Sequence, residues 1–333
     1  MNDTLSPRCL VIAATRNEGA FLVEWVSWYR AMGFEVMVLT NDCTDHSPDL
    51  LDRLEAEGWL THVRHEPNGK LPKWSAHRAA RKHPLIEQVD WVMVCDVDEF
   101  LVLKMGDGTI QSIFGGVTPD FTGMAINWRV MACVERDAYE DVLVTQTFQR
   151  GAAFEDKVNY WFKSIFRTPT RFKVFDAHGP KKISGVWGED DSIWVNSSGR
   201  RIWRYDATSS KPIMRMPKAR VTHDVMQLNH YILRTPEEYA AKRGTASASA
   251  SKNRYTDDFR RRFHKPDVEA PEALTSNPTF KEMHSTAMAL PEVARLHHLC
   301  CAERVERLCA VAGTRPDQDP RYRQHMAAAT AKS

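Results

Sequence analysis

Within its first hundred residues the chain switches repeatedly between short runs of adjacent apolar side chains and stretches in which apolar residues recur every three or four positions. This alternation limits the possible folds more than any other feature. Residues 9–14 form an apolar run that reads as a buried strand. Residues 18–32 follow with Phe21, Leu22, Trp25, Val26, Tyr29 and Met32 at helical spacing, closed by Gly33. Residues 35–40 read as a second strand, and Ser47-Pro48 is a cap and first-turn pair for a helix over 49–57. A weaker strand (60–64), a helix (74–82) and a fourth strand (91–95) complete the series. Strands separated by helices of this length imply right-handed crossovers and a mostly parallel sheet with helices on both faces. In such sheets ligands sit beyond the carboxyl ends of the strands, so the loops there carry the search for function.

The remaining sequence bounds the setting. A chain of 333 residues, 43% hydrophobic and 26% charged, can bury one large core. Its net charge of +2 gives no reason to expect a nucleic-acid partner. No run approaches the roughly 18 apolar residues of a membrane span, and the start, Met1-Asn2-Asp3-Thr4, lacks a secretory pattern. The expected location is cytoplasmic, with room for peripheral contact at the inner face of the membrane. Seven scattered cysteines with no CxxC pair fit a reducing compartment.

Beyond residue 123 the pattern is less regular. Residues 124–130, 142–148 and 157–167 read as strands of a later, mixed half of the same sheet. From 236 the chain turns helical, a last amphipathic helix is expected over 290–311, and the polar end from Thr314 is expected to fray.

The strongest chemical signal is Val92-Met93-Val94-Cys95-Asp96-Val97-Asp98-Glu99-Phe100. On an extended backbone Asp96 and Asp98 project to one side while Val97 points away. Two carboxylates at the end of a buried strand make a hard oxygen site suited to Mg²⁺ or Mn²⁺, and an ion there would neutralise charge on a departing diphosphate. A solvated acidic turn is the competing explanation. The loop after the first strand, Thr15-Arg16-Asn17-Glu18, offers backbone N–H groups and a helix N-terminus to an anion, or is simply a capped turn. In the loop after the second strand, Asn41, Asp42 and Asp45 could bond a base or ribose edge, and are also ordinary turn formers.

Together, residues 14–25, 41–45 and 96–100, with Leu228-Asn229-His230-Tyr231 and the stretch to Gly244, resemble the bacterial glycosyltransferase family 2-like group. The resemblance implies a GT-A fold over residues 1–245, with a nucleotide-binding half at 1–115, an acceptor half at 116–245 and a mainly helical extension at 246–333. It implies a nucleotide-sugar donor, a glycan or glycolipid acceptor of the kind used for cell-surface polysaccharide, and inversion at the transferred carbon. It also implies Mn²⁺ or Mg²⁺ at Asp98, with Asp96 assisting or contacting the ribose, and nucleotide contacts from the first two loops. His230 and His178 fall where GT-A enzymes place a late metal or phosphate contact, with His223 a third option and a structural role the alternative for each. Lys163 and Arg167, alternating on one expected strand, could steady the diphosphate or form a solvated face.

A general base must take the acceptor proton. The acidic groups after the metal motif are Glu155-Asp156, Glu189-Asp190-Asp191 and Asp224, of which Asp156 and Asp191 are taken as the candidates. His297-His298-Leu299-Cys300-Cys301 has the composition of a metal cluster, but a helix spreads these side chains around its axis and no partner pair with zinc spacing lies nearby. Arg260-Arg261-Arg262 reads as a solvated basic stretch. Two rival functions remain at this stage, a sugar-nucleotide nucleotidyltransferase and a non-catalytic carbohydrate-binding module.

Overall fold

The structure is a computed structural model describing residues 6–114, 121–184, 193–202, 205–211, 213–243 and 254–331. The chain begins β1 (Cys9–Thr15), α1 (Gly19–Ala31), β2 (Phe34–Thr40), α2 (Ser47–Ala56), β3 (Thr61–Arg64), α3 (Pro72–Lys82), β4 (Trp91–Val94) and β5 (Glu99–Leu103). It continues α4 (Ile110–Phe114), β6 (Gly123–Ala132), α5 (Val144–Thr147), β7 (Arg150–Gly151), β8 (Phe162–Arg167), β9 (Phe172–Val174), β10 (Lys181–Ile183), β11 (Trp194–Asn196) and β12 (Met226–His230). It ends α6 (Pro236–Lys242), α7 (Asp257–Phe263), β13 (Val268–Glu269), α8 (Phe280–Met288), α9 (Val293–Ala312) and α10 (Pro320–Thr330).

The main sheet runs β13-β7-β6-β8-β4-β1-β2-β3. β3, β2, β1 and β4 are parallel, as the crossover pattern requires, and β8 enters antiparallel between β4 and β6. The pleat sorts the strand residues between two cores. Cys9, Val11 and Ala13 of β1 face the layer of α1, whereas Leu10 and Ile12 face that of α3. Both faces are therefore apolar, and the strands read as continuous hydrophobic runs.

Helix α1 is buried on nearly its whole circumference, and a helix that is apolar all round needs cover on two sides. The sheet supplies one side and the C-terminal helices the other: Phe280 packs edge-on against Trp28, and Asn277 Nδ2 donates to the Trp28 carbonyl at 2.9 Å. The expected domain boundary at 245 falls on residues outside the described ones, but α8 and α9 pack on the body directly. Gly19 sits at the closest approach, where a Cβ would collide with Cys300 of α9.

Several expectations are overturned: residues 157–160 of the expected 157–167 strand form a short helical turn before β8, and Ser47, expected as a cap, is the first residue of α2 and makes no side-chain cap bond. Residues 142–148 were expected as a strand, but 144–147 form α5, because the buried Glu24 carboxylate accepts Val144 N–H and Thr145 N–H, both at 2.9 Å, and so caps a helical turn. Residues 315–331 do not fray. Asp319 caps α10 by accepting Arg321 N–H at 2.8 Å, and Arg321 bridges Glu237 of α6 at 2.7 and 2.9 Å.

Candidate active site

Adjacent parallel strands place their carboxyl ends on one rim, and β1 and β4 bring the 15–18 loop beside Asp96-Val97-Asp98. Tryptophan from α1 fixes this turn: Trp25 Nε1 donates to the Asp96 and Glu99 carbonyls at 3.0 and 3.1 Å. Glu99, fully buried, folds back to accept Asp96 N–H at 2.9 Å. β12 runs antiparallel to β5, so His230 lands opposite Glu99 and reaches the same turn.

The two aspartates differ in their partners. Both Asp96 oxygens are held by lysines, Lys73 on one and Lys163 at 3.1 Å on the other. Lys163 Nζ also lies 3.2 Å from Glu99. Burial works against ionisation of Asp96, but Lys163 and Lys73 outweigh it and hold the carboxyl well below its usual range. Burial and the neighbouring Asp96 charge push Glu99 up against the pull of Lys163. Burial would release the Lys163 proton, yet Asp96 and Glu99 hold it on. Asp98 is more open. His230 Nε2 stands 3.6 Å from Oδ1 and Lys242 Nζ 4.0 Å from Oδ2, both beyond a hydrogen bond. His230 and Lys242 more than offset burial and hold the Asp98 carboxyl well below its usual range.

Around this turn opens a cleft of about 920 Å³. Arg16, Lys73, Lys163, Lys242, Arg254, Arg262, Arg304 and Arg307 line it, against Glu18, Asp96, Asp98 and Asp176. Trp128 and Trp161 stack with centroids 5.9 Å apart and form an apolar wall, and the Trp128 ring packs on His230 at 4.3 Å. The cleft is suited to an anionic ligand with a flat, partly apolar group beside the anion.

Of the residues singled out in the sequence, Thr15, Arg16, Asn17, Glu18, Asp96, Asp98, Lys163, His178 and His230 line this cleft. Glu18 is tied to Arg234 at 2.7 Å. Asn17 exchanges two bonds with Thr44, at 3.1 and 2.8 Å, and so joins the first loop to the second. The other second-loop residues do not reach the cleft. Asn41 bonds Asp42 at 2.9 Å, and Asp45 is a buried brace that accepts Ser47 N–H at 3.1 Å and pairs with Arg307 at 3.3 Å. Arg167 lies at the wrong end. Because β8 is antiparallel, Lys163 stands beside Asp96 while Arg167 pairs in register with Trp91, at the amino end of β4.

His178 donates Nδ1–H to the Phe162 carbonyl at 2.8 Å, and burial pulls it down to about 4, so its imidazole is neutral with Nε2 as acceptor. Among the described residues it touches neither aspartate. Asp156 caps a short turn by accepting Val158 N–H at 2.9 Å and pairs with Lys265 at 3.4 Å, outside the cleft. Asp191 lies outside the described residues. His223 and Asp224 line a separate cleft of about 470 Å³.

Several cleft residues were not found in the sequence: Lys73, Trp128, Trp161, Asp176, Arg304 and Arg307. Lys73 had a signal, since a cation in the first turn of α3 opposes the helix dipole and needs an anionic partner. Asp176 pairs with Lys181 at 2.7 Å and keeps a partly open carboxyl.

A donor fit can be judged from these groups. Asp98 and His230 offer an oxygen and a nitrogen, 3.6 Å apart and not bonded to each other, which is compatible with two ligands of one divalent ion. His230 Nδ1 is buried without a hydrogen-bond partner among the described residues. Asp96, with both oxygens engaged by ammonium groups, is a poor ligand and a good anchor.

A parallel α/β sheet joined by an antiparallel strand, with an acidic turn at the end of β4 inside a basic cleft, is the arrangement of a GT-A glycosyltransferase. The chain belongs to glycosyltransferase family 92, whose model matches residues 13–242. The match supports the glycosyltransferase resemblance at that level, with family 92 in place of the family 2-like group, and replaces both rival functions. A search of curated proteins finds no match. Among solved structures, S. aureus TarS 1-349 in complex with UDP-GlcNAc is 12% identical, covering 97% of this chain and 88% of that one at a TM-score of 0.33. LgtC in complex with donor and acceptor sugar analogs is 13% identical, covering 87% and 99% at a TM-score of 0.34. Likeness at this level carries no argument about substrate.

Proposed function

We propose that this enzyme transfers a sugar from a nucleoside diphosphate donor to an acceptor hydroxyl, with the diphosphate seated between Asp98 and the basic wall of the cleft. The observation that carries this reading is the nesting of charges: an acidic turn at the end of β4 surrounded by Arg16, Lys163, Lys242, Arg304 and Arg307. A diphosphate needs such cations, and the departing nucleotide gains negative charge that they are placed to offset. Mn²⁺ or Mg²⁺ fits at Asp98 and His230, and when bound would act as a Lewis acid toward the leaving diphosphate. Asp96, clamped by Lys73 and Lys163, orients the turn and remains a candidate for a ribose contact. The Trp128–Trp161 wall would take the sugar face.

For the acceptor proton we assign Asp176. Among the described carboxylates of the cleft, Asp176 has the most exposed side chain, 28% against 22% for Glu18, 23% for Asp96 and 19% for Asp98, with Lys181 at 2.7 Å and the His178 N–H at 3.3 Å on its two oxygens. A base in the cleft supports direct displacement with inversion. A glycan or glycolipid acceptor is supported by the family alone. No helix among the described residues is long and apolar enough to cross a membrane, so such an acceptor would be met at a surface.

The test is transfer from a panel of UDP- and GDP-sugars, with and without Mn²⁺, by wild type and Asp98→Ala. The variant is expected to lose at least about 100-fold in turnover at an unchanged melting temperature. Wild-type rates in the variant would overturn the assignment.

A further inference from the structure

The cluster at residues 297–301, set aside in the sequence because its side chains circle a helix and lack partners, acquires partners in the fold. His297 and Cys301 are one turn apart and share a face of α9. Asp141, in the segment before α5, and His325, on α10, close on that face. His297 Nε2 lies 3.1 Å from each Asp141 oxygen and 3.4 Å from Cys301 Sγ. Asp141, Cys301 and His325 each bring a ligand atom within 4.8 Å of the others, as do Asp141, His297 and His298. His298 Nδ1 meets His325 Nδ1 at 3.1 Å.

One imidazole N–H serves one acceptor well, yet three acceptor atoms converge on His297 Nε2. Ligands sharing an ion converge in this way. With bonds of about 2.0–2.1 Å to nitrogen or oxygen and about 2.3 Å to sulfur, a tetrahedral zinc site has edges of about 3.3–3.6 Å. The separations of His297 from Asp141 and from Cys301, 3.1 and 3.4 Å, lie close to those edges, and a ligand atom of His325 lies within 4.8 Å of Asp141 and Cys301. His297, Cys301 and His325 are buried, and the site opens to solvent on the side of Asp141.

We propose that Asp141, His297, Cys301 and His325 hold a divalent cation of the zinc class, with His298 orienting His325. The mixture of imidazole, thiolate and carboxylate favours zinc over the hard ions suited to Asp98. The ion would tie α9 to α10 and to the segment of Asp141, stiffening the helix that carries Arg304 and Arg307 into the cleft.

The full chain, stripped with chelator and then titrated with zinc, should retain about one equivalent through dialysis and gain melting temperature. Asp98→Ala should retain it equally, which separates this site from the cleft. Loss of a hydrogen-bonded outer partner alone weakens metal sites by about 10–100-fold, so Asp141→Asn, Cys301→Ser and His325→Gln should each cost at least about 100-fold in affinity. Cobalt-loaded wild type should show a thiolate-to-cobalt charge-transfer band that Cys301→Ser lacks. The proposal is overturned if wild type takes up no stoichiometric zinc, if zinc leaves the melting temperature unchanged, or if uptake is the same in His325→Gln and Asp141→Asn. In any of those cases the cluster is a hydrogen-bonded ion pair only.

Discussion

Replacing Lys163 with methionine tests the electrostatics beneath the site. Lys163 Nζ is buried, 3.1 Å from Asp96 and 3.2 Å from Glu99. At an effective dielectric of about 20, each contact is worth about 5 kcal/mol of Coulomb attraction. Desolvation of the three ions consumes several kcal/mol each, so the clamp adds little net stability while intact. Removing one member of a buried cluster is different, because it leaves a charge uncompensated, at about 3–5 kcal/mol. Asp96 keeps the Lys73 ammonium, but Glu99 keeps the neutral Asp96 N–H at 2.9 Å and Cys95 thiol at 3.4 Å, with His230 no nearer than 3.9 Å.

The sign with pH follows from the shifts. In the wild type, Asp96 is depressed, so its stabilisation is present above its unfolded value of about 3.9 and fades only as pH falls through the lower folded value. Lys163 is raised, so its contribution is complete below about 10.4 and is lost only as pH rises through its higher folded value. In Lys163→Met, Glu99, already raised by burial, moves further up, and the folded state binds more protons than the unfolded chain above about pH 4.3. The penalty should therefore grow from pH 5 to pH 8. Urea unfolding at both values measures it, and adding Glu99→Gln to Lys163→Met should recover most of the loss. A penalty below about 1 kcal/mol at pH 8, or one equal at both pH values, would refute the reasoning.

Asp176→Asn should lower kcat by about 100- to 10,000-fold with little change in the donor KM, measured by steady-state transfer; an unchanged kcat removes Asp176 as the base. Gly19→Ala should cost about 1–3 kcal/mol through the collision of the new methyl with Cys300 on α9, read by thermal unfolding. An unchanged melting temperature there would mean that α9 does not seat on the first helix as described.

How much of this was legible depends on the range over which each signal acts. The β1–α1–β2 succession, the stop at Gly33 (φ +82°) and the acidic turn at 96–98 are written in local spacing, and the structure keeps them within a residue or two. Register was not local. Lys163 and Arg167 have the same chemistry four residues apart on one strand, and only the antiparallel pairing of β8 decides which one reaches Asp96. Residues 142–148 have strand-like composition, yet 144–147 become helix through a carboxylate at position 24, which no window around them contains. The C-terminal helices combine both cases. Asp319-Pro320 was a readable cap, whereas Ser47 falls inside α2 and its own N–H is taken by Asp45, and α1, buried on nearly every side, demanded a second layer of cover. That demand makes the 254–331 segment part of the enzyme's body, because the helix that covers α1 also delivers Arg304 and Arg307 to the cleft. A chain cut before α8 would thus lose part of its basic wall together with the outer half of its core.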